Sequence, residues 1–447
     1  MGNADAESKV INSLVEPEER IMGVGDLIWL WLGMTAQMGI FLLGASFVGK
    51  ISYMQALLAM IVGNLIISVI LVLNGDVGCK YGINLSLSLK APFGERGRKI
   101  PALMRALTGI FWFGIQTYYG AQAINIAVKY MTGYSNWFLW YVLFAIIQIW
   151  ITAGGISWIR YLENISGPAL ALLSIWLIYA LINGQPIGEF LNAEINDGMN
   201  FWAVVTANLS YWVTVAVNIS DFTRYVKVED PNGGFYKRNK VSIMGQLPGI
   251  TIGMLLFVSV GMIGKYYTGY GSPVDMISST LGGYFMLIGL VIILLAQLST
   301  NVAANLYAPG NILSDIFGDR LNFSKSVIIA GMIGMCTMPW YLLDHFLTYL
   351  PIIGAFLSPL PGIMIVDYFI VRKTELNVVD FKSATGKYDY YKGVNPAALI
   401  TYVIAGIVGI IYLKYSWLVS LPIASVLYLF LMKVWVMKKY PGQVFND

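Results

Sequence analysis

"WLWLGMTAQMGIFLLG", residues 29–44, is apolar enough to cross a bilayer, yet Gly33, Gly39 and Gly44 interrupt it, and Thr35 and Gln37 lie between the first two. A helix broken at membrane depth frees backbone carbonyls. Such a break is tolerated where it lines a cavity, and the freed carbonyls can bind a cation there. The competing reading of the same glycines is a packing face against which a second helix lies close. Gln37 tips the balance toward a cavity, because a primary amide in hydrocarbon requires partners.

The rest of the chain fits a lipid-solvated protein. Hydrophobic residues make up 57% of its 447 residues and charged residues 12%, and mean hydropathy is +0.68. That is too little charge to coat a soluble surface of this size. The net charge of +4 is dispersed among loops and forms no basic stripe, which argues against a nucleic-acid partner. Cys79 and Cys336 lack ligand-like spacing and read as two buried thiols. The first twenty residues are polar, so no signal peptide is expected and the first span serves as the insertion signal.

With about 20 apolar residues per helix as the ruler, twelve spans are expected, near 26–49, 53–74, 101–130, 136–154, 162–183, 200–220, 241–264, 279–308, 325–345, 349–371, 395–413 and 415–436. Placing the N-terminus inside puts Lys80, Lys90, Arg96, Arg98 and Lys99 in one inside loop. Arg224, Lys227, Lys237, Arg238 and Lys240 fall in a second, and Arg372, Lys373, Lys382, Lys387 and Lys392 in a third. The outside loops hold only Lys50, Lys129, Lys265 and Lys414. That asymmetry predicts both termini in the cytoplasm of a cell-membrane protein.

Three further stretches carry polar residues where lipid disfavours them. In "LAQLSTNVAANLYAPGN", residues 295–311, Ala296, Ser299 and Thr300 fall at i, i+3 and i+4, so one face presents a carbonyl and two hydroxyls. Asn301 and Asn305 lie one turn apart on an adjacent face, and interhelical hydrogen bonding is the alternative use for all of them. In "FWFGIQTYYGAQ", residues 111–122, Trp112 and Gln116 project together, with Gly114 between them allowing close approach of another group. Trp112 lies well below the interface where tryptophans usually sit, since Pro101 and Arg105 mark the helix start. A deep indole beside an amide can stack a flat ring and bond its edge. In "NLSYWVTVAVNISDFTRY", residues 208–225, Trp212 is deep, and Asp221 with Arg224 reads as an exposed ion pair at the cytoplasmic end.

Other chemistries fall away. "GASFVGKIS", residues 44–52, has Ile51 where a phosphate loop needs a magnesium-binding hydroxyl, and it ends a membrane helix where the motif requires a preceding strand. No ATP-driven pump is implied, so an ion gradient must supply the energy. The single histidine, His345 beside Asp344, has no second base or nucleophile and cannot form a hydrolytic triad. An enzyme is not expected.

"WFGIQT" in the third span, "SDFTRY" closing the sixth, "STNVAAN" in the eighth and "LSPLPGIMIVDYFIVR" in the tenth resemble the nucleobase:cation symporter family of purine, cytosine, uracil, hydantoin and allantoin transporters. The resemblance runs from about Gly23 to about Trp435. It implies an all-α integral membrane protein of twelve transmembrane helices, a five-plus-five inverted repeat of the LeuT-like kind with discontinuous first and sixth helices and a site at the midplane. Residues 26–371 would then form the ten-helix transport core, after a cytoplasmic segment 1–25. A cytoplasmic loop 372–394, two additional helices in 395–436 and a cytoplasmic tail 437–447 complete the chain.

By the same resemblance, Trp112 and Trp212 sandwich the substrate ring, Gln116 and Asn305 bond its amide edges, and Gln37 reaches it from the broken helix. The cation site maps onto the backbone carbonyls of Gly33, Ala36 and Ala296 and the hydroxyls of Ser299 and Thr300. The expected activity is symport of a nucleobase or cyclic ureide by a monomer, with sodium as coupling ion and no other cofactor. Proton coupling is the alternative, because Asp221, His345 and Asp367 titrate, and an amino-acid transporter of the same fold is another. An amino acid's carboxylate would need a charge or a helix N-terminus, and the deep aromatic pair does not suit it. The sixth span departs from the family pattern in having no Gly or Pro near Trp212, so its break must rest on Asn208 and Ser210 or be shallower.

Overall fold

The computed structural model describes residues 14–196, 198–342, 346–382 and 387–444. Asp344 and His345 lie outside the described residues, as does most of the expected cytoplasmic N-terminal segment.

The first span is two helices, Val24–Thr35 and Met38–Ala45, bent by 59°. The break is made by Ala36 (φ −80°, ψ 54°) and Gln37 (φ −122°, ψ 152°), residues with no intrinsic need to leave the helix. None of the three glycines makes it. Two of them instead allow close approach: a Cβ on Gly44 would sit 2.3 Å from the Val258 carbonyl, and one on Gly39 would sit 2.5 Å from the Tyr211 hydroxyl.

The seventh span, Phe235–Thr268, explains how the broken helix is held. Gly245, Gly249 and Gly253 recur every fourth residue and so share one face. Added Cβ atoms there would meet Leu27, Trp31 and Thr35 in turn, and one on Gly261 would meet the Phe41 carbonyl at 2.2 Å. The inner and outer pieces of the first span therefore both lie in one groove of a continuous helix. Packing and the break coexist in the first span, at different residues.

Helices occupy all the other expected stretches. Among the described residues six of them can cross a membrane by length and composition, or seven with the bent pair as one span: Tyr53–Tyr81, Ile156–Ile182, Phe235–Thr268, Gly283–Phe317, Ile352–Val371 and Leu413–Lys439 besides that pair. Trp137–Ala153 and Pro396–Ile411 are apolar but shorter. Lys99–Thr132, Phe201–Asn218 and Phe323–Met335 fill the remaining three positions. The ninth span ends ten residues before its expected limit, where Met338 adopts φ 48° ahead of a short helix Pro339–Leu342. The eighth contains a π-helical turn at Asn301–Leu306, and the tenth another at Val366–Val371.

Of the two alternatives for the sixth span the shallower break is the one found, and two other expectations need correction. The sixth helix runs unbroken through Asn208, Ser210 and Trp212 to Asn218, and its discontinuity is a single residue, Ile219, before Ser220–Thr223. Ile219 keeps right-handed helical angles (φ −58°, ψ −27°), so the chain barely deviates there. Asp221 and Arg224 are buried, not exposed. The Asp221 carboxylate accepts from the Leu85 amide at 2.9 Å and from Asn218 Nδ2 at 3.2 Å, while Arg224 donates to the Tyr307 hydroxyl at 3.0 Å. Finally, Cys79 is buried but Cys336 is exposed, at the early end of the ninth span.

Between the second and third spans the chain forms two short helices, Leu85–Ser88 and Lys90–Phe93, the first capped by Asn84. Burial by itself pushes the pKa of the Glu95 carboxyl beside them up. Arg98 and Lys90, both at 2.9 Å, outweigh that and hold the carboxyl below its ordinary value.

Gly253→Val tests the groove, because a Cβ there would fall 1.9 Å from Thr35 Oγ1. Overpacking of this kind costs about 1–3 kcal/mol, so the variant should melt several degrees lower. Gly188→Ala, with nothing within 4 Å, should leave the melting temperature unchanged.

Candidate functional site

The break at Ala36–Gln37 faces the eighth span. Thr300 Oγ1 donates to the Gly33 carbonyl at 2.8 Å, bridging 267 positions of sequence. On the same helix Ser299 Oγ donates to the Ala296 carbonyl at 3.1 Å. The Gly33 carbonyl also accepts from the Ala36 amide at 3.1 Å. Gly33, Ala36, Ala296, Ser299 and Thr300 are all buried, and every oxygen they offer is neutral and hard. Thr35, the residue before the break, turns its hydroxyl back to the Leu32 carbonyl at 2.8 Å.

Gln37 points from the break toward the third span. Its Oε1 accepts from Gln116 Nε2 at 2.5 Å, and its own Nε2 donates to the Met34 carbonyl at 2.9 Å. One turn before Gln116, Trp112 meets Tyr211 edge to face, with ring centroids 5.8 Å apart. Tyr211 in turn meets Trp212 at 5.6 Å, and Trp212 meets Trp31 at 5.3 Å. The two indoles expected around a substrate ring are thus linked through Tyr211, whose hydroxyl lies against Gly39. Gly114, by contrast, faces the ninth span: a Cβ on it would sit 2.2 Å from Thr337 Oγ1. It serves helix packing, on another side from Trp112 and Gln116.

Four buried polar atoms around this aromatic run have no hydrogen-bond partner among the described residues: Gln116 Oε1, the Tyr211 hydroxyl, Trp212 Nε1 and Trp31 Nε1. Buried polar groups are almost always satisfied, so a cluster of unsatisfied ones marks a place suited to a ligand with a polar edge.

Asn305, the remaining expected contact, sits on the π-turn and donates through Nδ2 to Asn301 Oδ1 at 2.8 Å. Below it the buried guanidinium of Arg105 donates to Asn218 Oδ1 at 2.9 Å and to the Ala304 carbonyl at 3.0 Å, tying the third, sixth and eighth spans. Spacing alone pointed to neither Arg105 nor Gln148 of the fourth span, which meets Asn301 at 2.6 Å. Both carried one legible signal, a strongly polar side chain inside an otherwise apolar helix. The π-turn carried none.

With this geometry in view, comparison with known proteins is specific. A family model described as "Permease for cytosine/purines, uracil, thiamine, allantoin" matches residues 14–436. A hydantoin permease of Microbacterium maritypicum is 32% identical over 432 residues, 95% of this chain and 88% of that protein. A solved nucleobase-cation-symport-1 family transporter, in a closed conformation with bromovinylhydantoin bound, is 31% identical with a TM-score of 0.90, covering 98% of this chain and 97% of the other. A Na+-coupled sialic acid symporter shares the fold alone, at 14% identity and a TM-score of 0.69 over 100% of this chain and 96% of its own.

Removing an unsatisfied buried hydroxyl should cost nothing in the free protein. Tyr211→Phe is expected to keep or raise the melting temperature without ligand. Gln37→Leu, which strands the Gln116 amide nitrogen, should lower stability by about 1–3 kcal/mol. Scanning fluorimetry on both variants checks the contrast.

Proposed function

The chain belongs to the nucleobase:cation symporter family, the permeases for cytosine and purines, uracil, thiamine and allantoin, and on that footing we propose that it imports a planar, neutral nucleobase or cyclic ureide together with sodium by alternating access. As a permease it is not an enzyme. The observation that carries the reading is the 2.8 Å contact of the Thr300 hydroxyl with the Gly33 carbonyl, at the same break that aims Gln37 at Gln116.

In this reading, Trp112 and Trp212 hold the two faces of the ring, with Tyr211 moving aside or stacking beside them. Aromatic stacking on a base is worth about 1–3 kcal/mol per ring in nucleic-acid proteins. Gln116 Oε1, Asn305 and Gln37 bond the edge, where a ureide or pyrimidine alternates N–H and C=O. The sum supports affinities of roughly micromolar to millimolar, weak enough for release. Sodium is held by the carbonyls of Gly33, Ala36 and Ala296 and the hydroxyls of Ser299 and Thr300. Neutral oxygens suit a singly charged hard cation without a carboxylate. The protein works as a monomer in the cell membrane with both termini inside, in keeping with the Lys and Arg asymmetry of its loops.

The test is uptake of radiolabelled uracil, cytosine, hydantoin and allantoin into vesicles with and without a sodium gradient. Uptake that persists after removal of both sodium and proton gradients sinks coupling, and uptake driven by protons alone sinks the sodium assignment. In thermal-shift assays Trp112→Ala should abolish stabilisation by substrate while the protein still folds, its ligand-free melting temperature lowered by the loss of a buried indole. Thr300→Ala should chiefly weaken the response to sodium relative to choline.

A further inference from the structure

We propose that Gln297, on the eighth span, is a further substrate contact, whose side-chain amide pairs with an edge of the ring that carries an N–H beside a C=O. This rests on the reading of the broken first span as the substrate site.

Gln297 is 0% exposed, and neither its Oε1 nor its Nε2 has a hydrogen-bond partner among the described residues. A primary amide can accept through its oxygen and donate twice through its nitrogen. Burying one with none of those bonds made is costly, and native interiors rarely do it. A methionine of similar length would fill the same space without that cost.

Helix geometry puts this amide at the break. Gly283–Thr300 is regular α-helix, so Gln297 lies one turn before both Thr300 and Asn301 and projects between their two directions. Thr300 reaches the Gly33 carbonyl of the first span at 2.8 Å. Asn301 Nδ2 reaches the Phe113 carbonyl and Thr117 Oγ1 of the third span, both at 3.1 Å. Gln297 is thus aimed at the seam between the first and third spans, which the bond from Gln116 to Gln37 crosses. Its height agrees. The third and eighth spans run in opposite senses, since Ala304 meets Arg105 while the earlier Asn301 meets the later Phe113 and Thr117. One turn beyond Asn301, Gln297 falls level with the turn that follows Gln116.

Gln246 of the seventh span also has both polar atoms unpartnered. It lies two turns before Gly253, whose added Cβ would meet Thr35, and so sits about 10 Å along the helix from the break. Only Gln297 combines an unused amide with the broken helix.

Gln116 Oε1 and the whole amide of Gln297 serve the same seam and do not bond each other. A lactam edge, N–H next to C=O, is the complement of a primary amide, which can make both bonds in one plane. Uracil, hydantoin and allantoin all carry such an edge, and methylating its nitrogen removes the donor.

The experiment measures binding of uracil, hydantoin and their N-methyl derivatives to the purified full chain by calorimetry, for the wild type and Gln297→Met, with ligand-free melting temperatures alongside. Gln297→Met should weaken uracil and hydantoin by roughly tenfold, the scale of one or two net hydrogen bonds. The derivative methylated at the contacted nitrogen should bind the variant as well as it binds the wild type, or better. Without ligand the variant should melt at or above the wild-type temperature, because it loses only unsatisfied polar atoms. An amide held by a structural water or by a neighbouring helix gives the opposite pair of results, a lower melting temperature and no selective loss of the unmethylated ligands, and either result overturns the proposal. Gln297→Leu repeats the measurement with a different apolar shape. Failure of both variants to purify folded overturns the proposal as well, since it requires an amide without a structural partner. Trp112→Ala separates the two levels of the argument. Binding lost in Trp112→Ala but unchanged in Gln297→Met overturns the proposal alone, whereas binding retained in Trp112→Ala, or absent from the wild type, overturns the reading of the site with it.

Discussion

The constraint from which the rest follows is that a chain cannot leave a helix inside lipid without giving every freed backbone group a partner. Ala36 and Gln37 leave it, and the surroundings are arranged to bear the cost. Thr300 satisfies the Gly33 carbonyl from the eighth span, the Gln37 side chain reaches back to the Met34 carbonyl, and the Ala36 amide returns to the carbonyls of Leu32 and Gly33. The glycine-lined face of the seventh span then grips both halves. A broken helix gripped in this way is held at both ends, and the candidate site groups hang from the kink between them.

Charge is distributed with the same economy. The buried carboxylates with described partners lie toward the end of the bundle that the Lys and Arg count assigns to the cytoplasm. Asp76 takes a two-point contact from Arg238 at 2.6 and 2.7 Å, with Asn239 and the Tyr368 hydroxyl on the same oxygens. Asp367 is held by Arg372 at 2.7 Å and by Tyr428 at 2.7 Å. Buried pairs of this kind add little net stability, since desolvation offsets the attraction, but breaking one strands a charge. They therefore fix which helices are neighbours: Asp76 joins the second, seventh and tenth spans, and Asp367 joins the tenth to the twelfth. The polar groups around the candidate site are neutral apart from Arg105, which sits below it against Asn218.

Much of this was legible in residue order. Long apolar runs locate the spans, because lipid permits few other solutions. The spacing of Trp112 with Gln116, and of Ala296 with Ser299 and Thr300, places each set on one face, because a helix has a fixed pitch. What stayed hidden required the third dimension. The break was expected from Gly33, Gly39 and Gly44 and is made by Ala36 and Gln37, because nothing in an alanine's side chain declares its backbone angles. The ring between the two indoles is Tyr211, a residue whose direction depends on helix rotation. Asp221 was read as exposed because it falls at the expected cytoplasmic end of the sixth span, whereas the Leu85 amide of the short helix after the second span donates to it. A π-turn leaves no compositional trace, yet it alone carries both Asn301 and Asn305.

The position of Gln37 has a thermodynamic consequence. It is the residue next to Ala36, and the carbonyls of Gly33 and Ala36 lie within the same five-residue stretch, so the proposed cation donors and a substrate amide are segments of one kink. A cation drawn to those carbonyls would narrow the angles available to residues 33–37 and so pre-orient the Gln37 amide toward Gln116 before any substrate arrives. Ordering that has already occurred need not be repeated when the second ligand binds, which is positive coupling without a distant signal. Linkage makes the effect reciprocal: whatever factor the cation adds to substrate affinity, the substrate adds to cation affinity. A transporter that must move both together gains from placing the two sites on a single break, because neither ligand then has to report its presence through more than one or two residues of backbone.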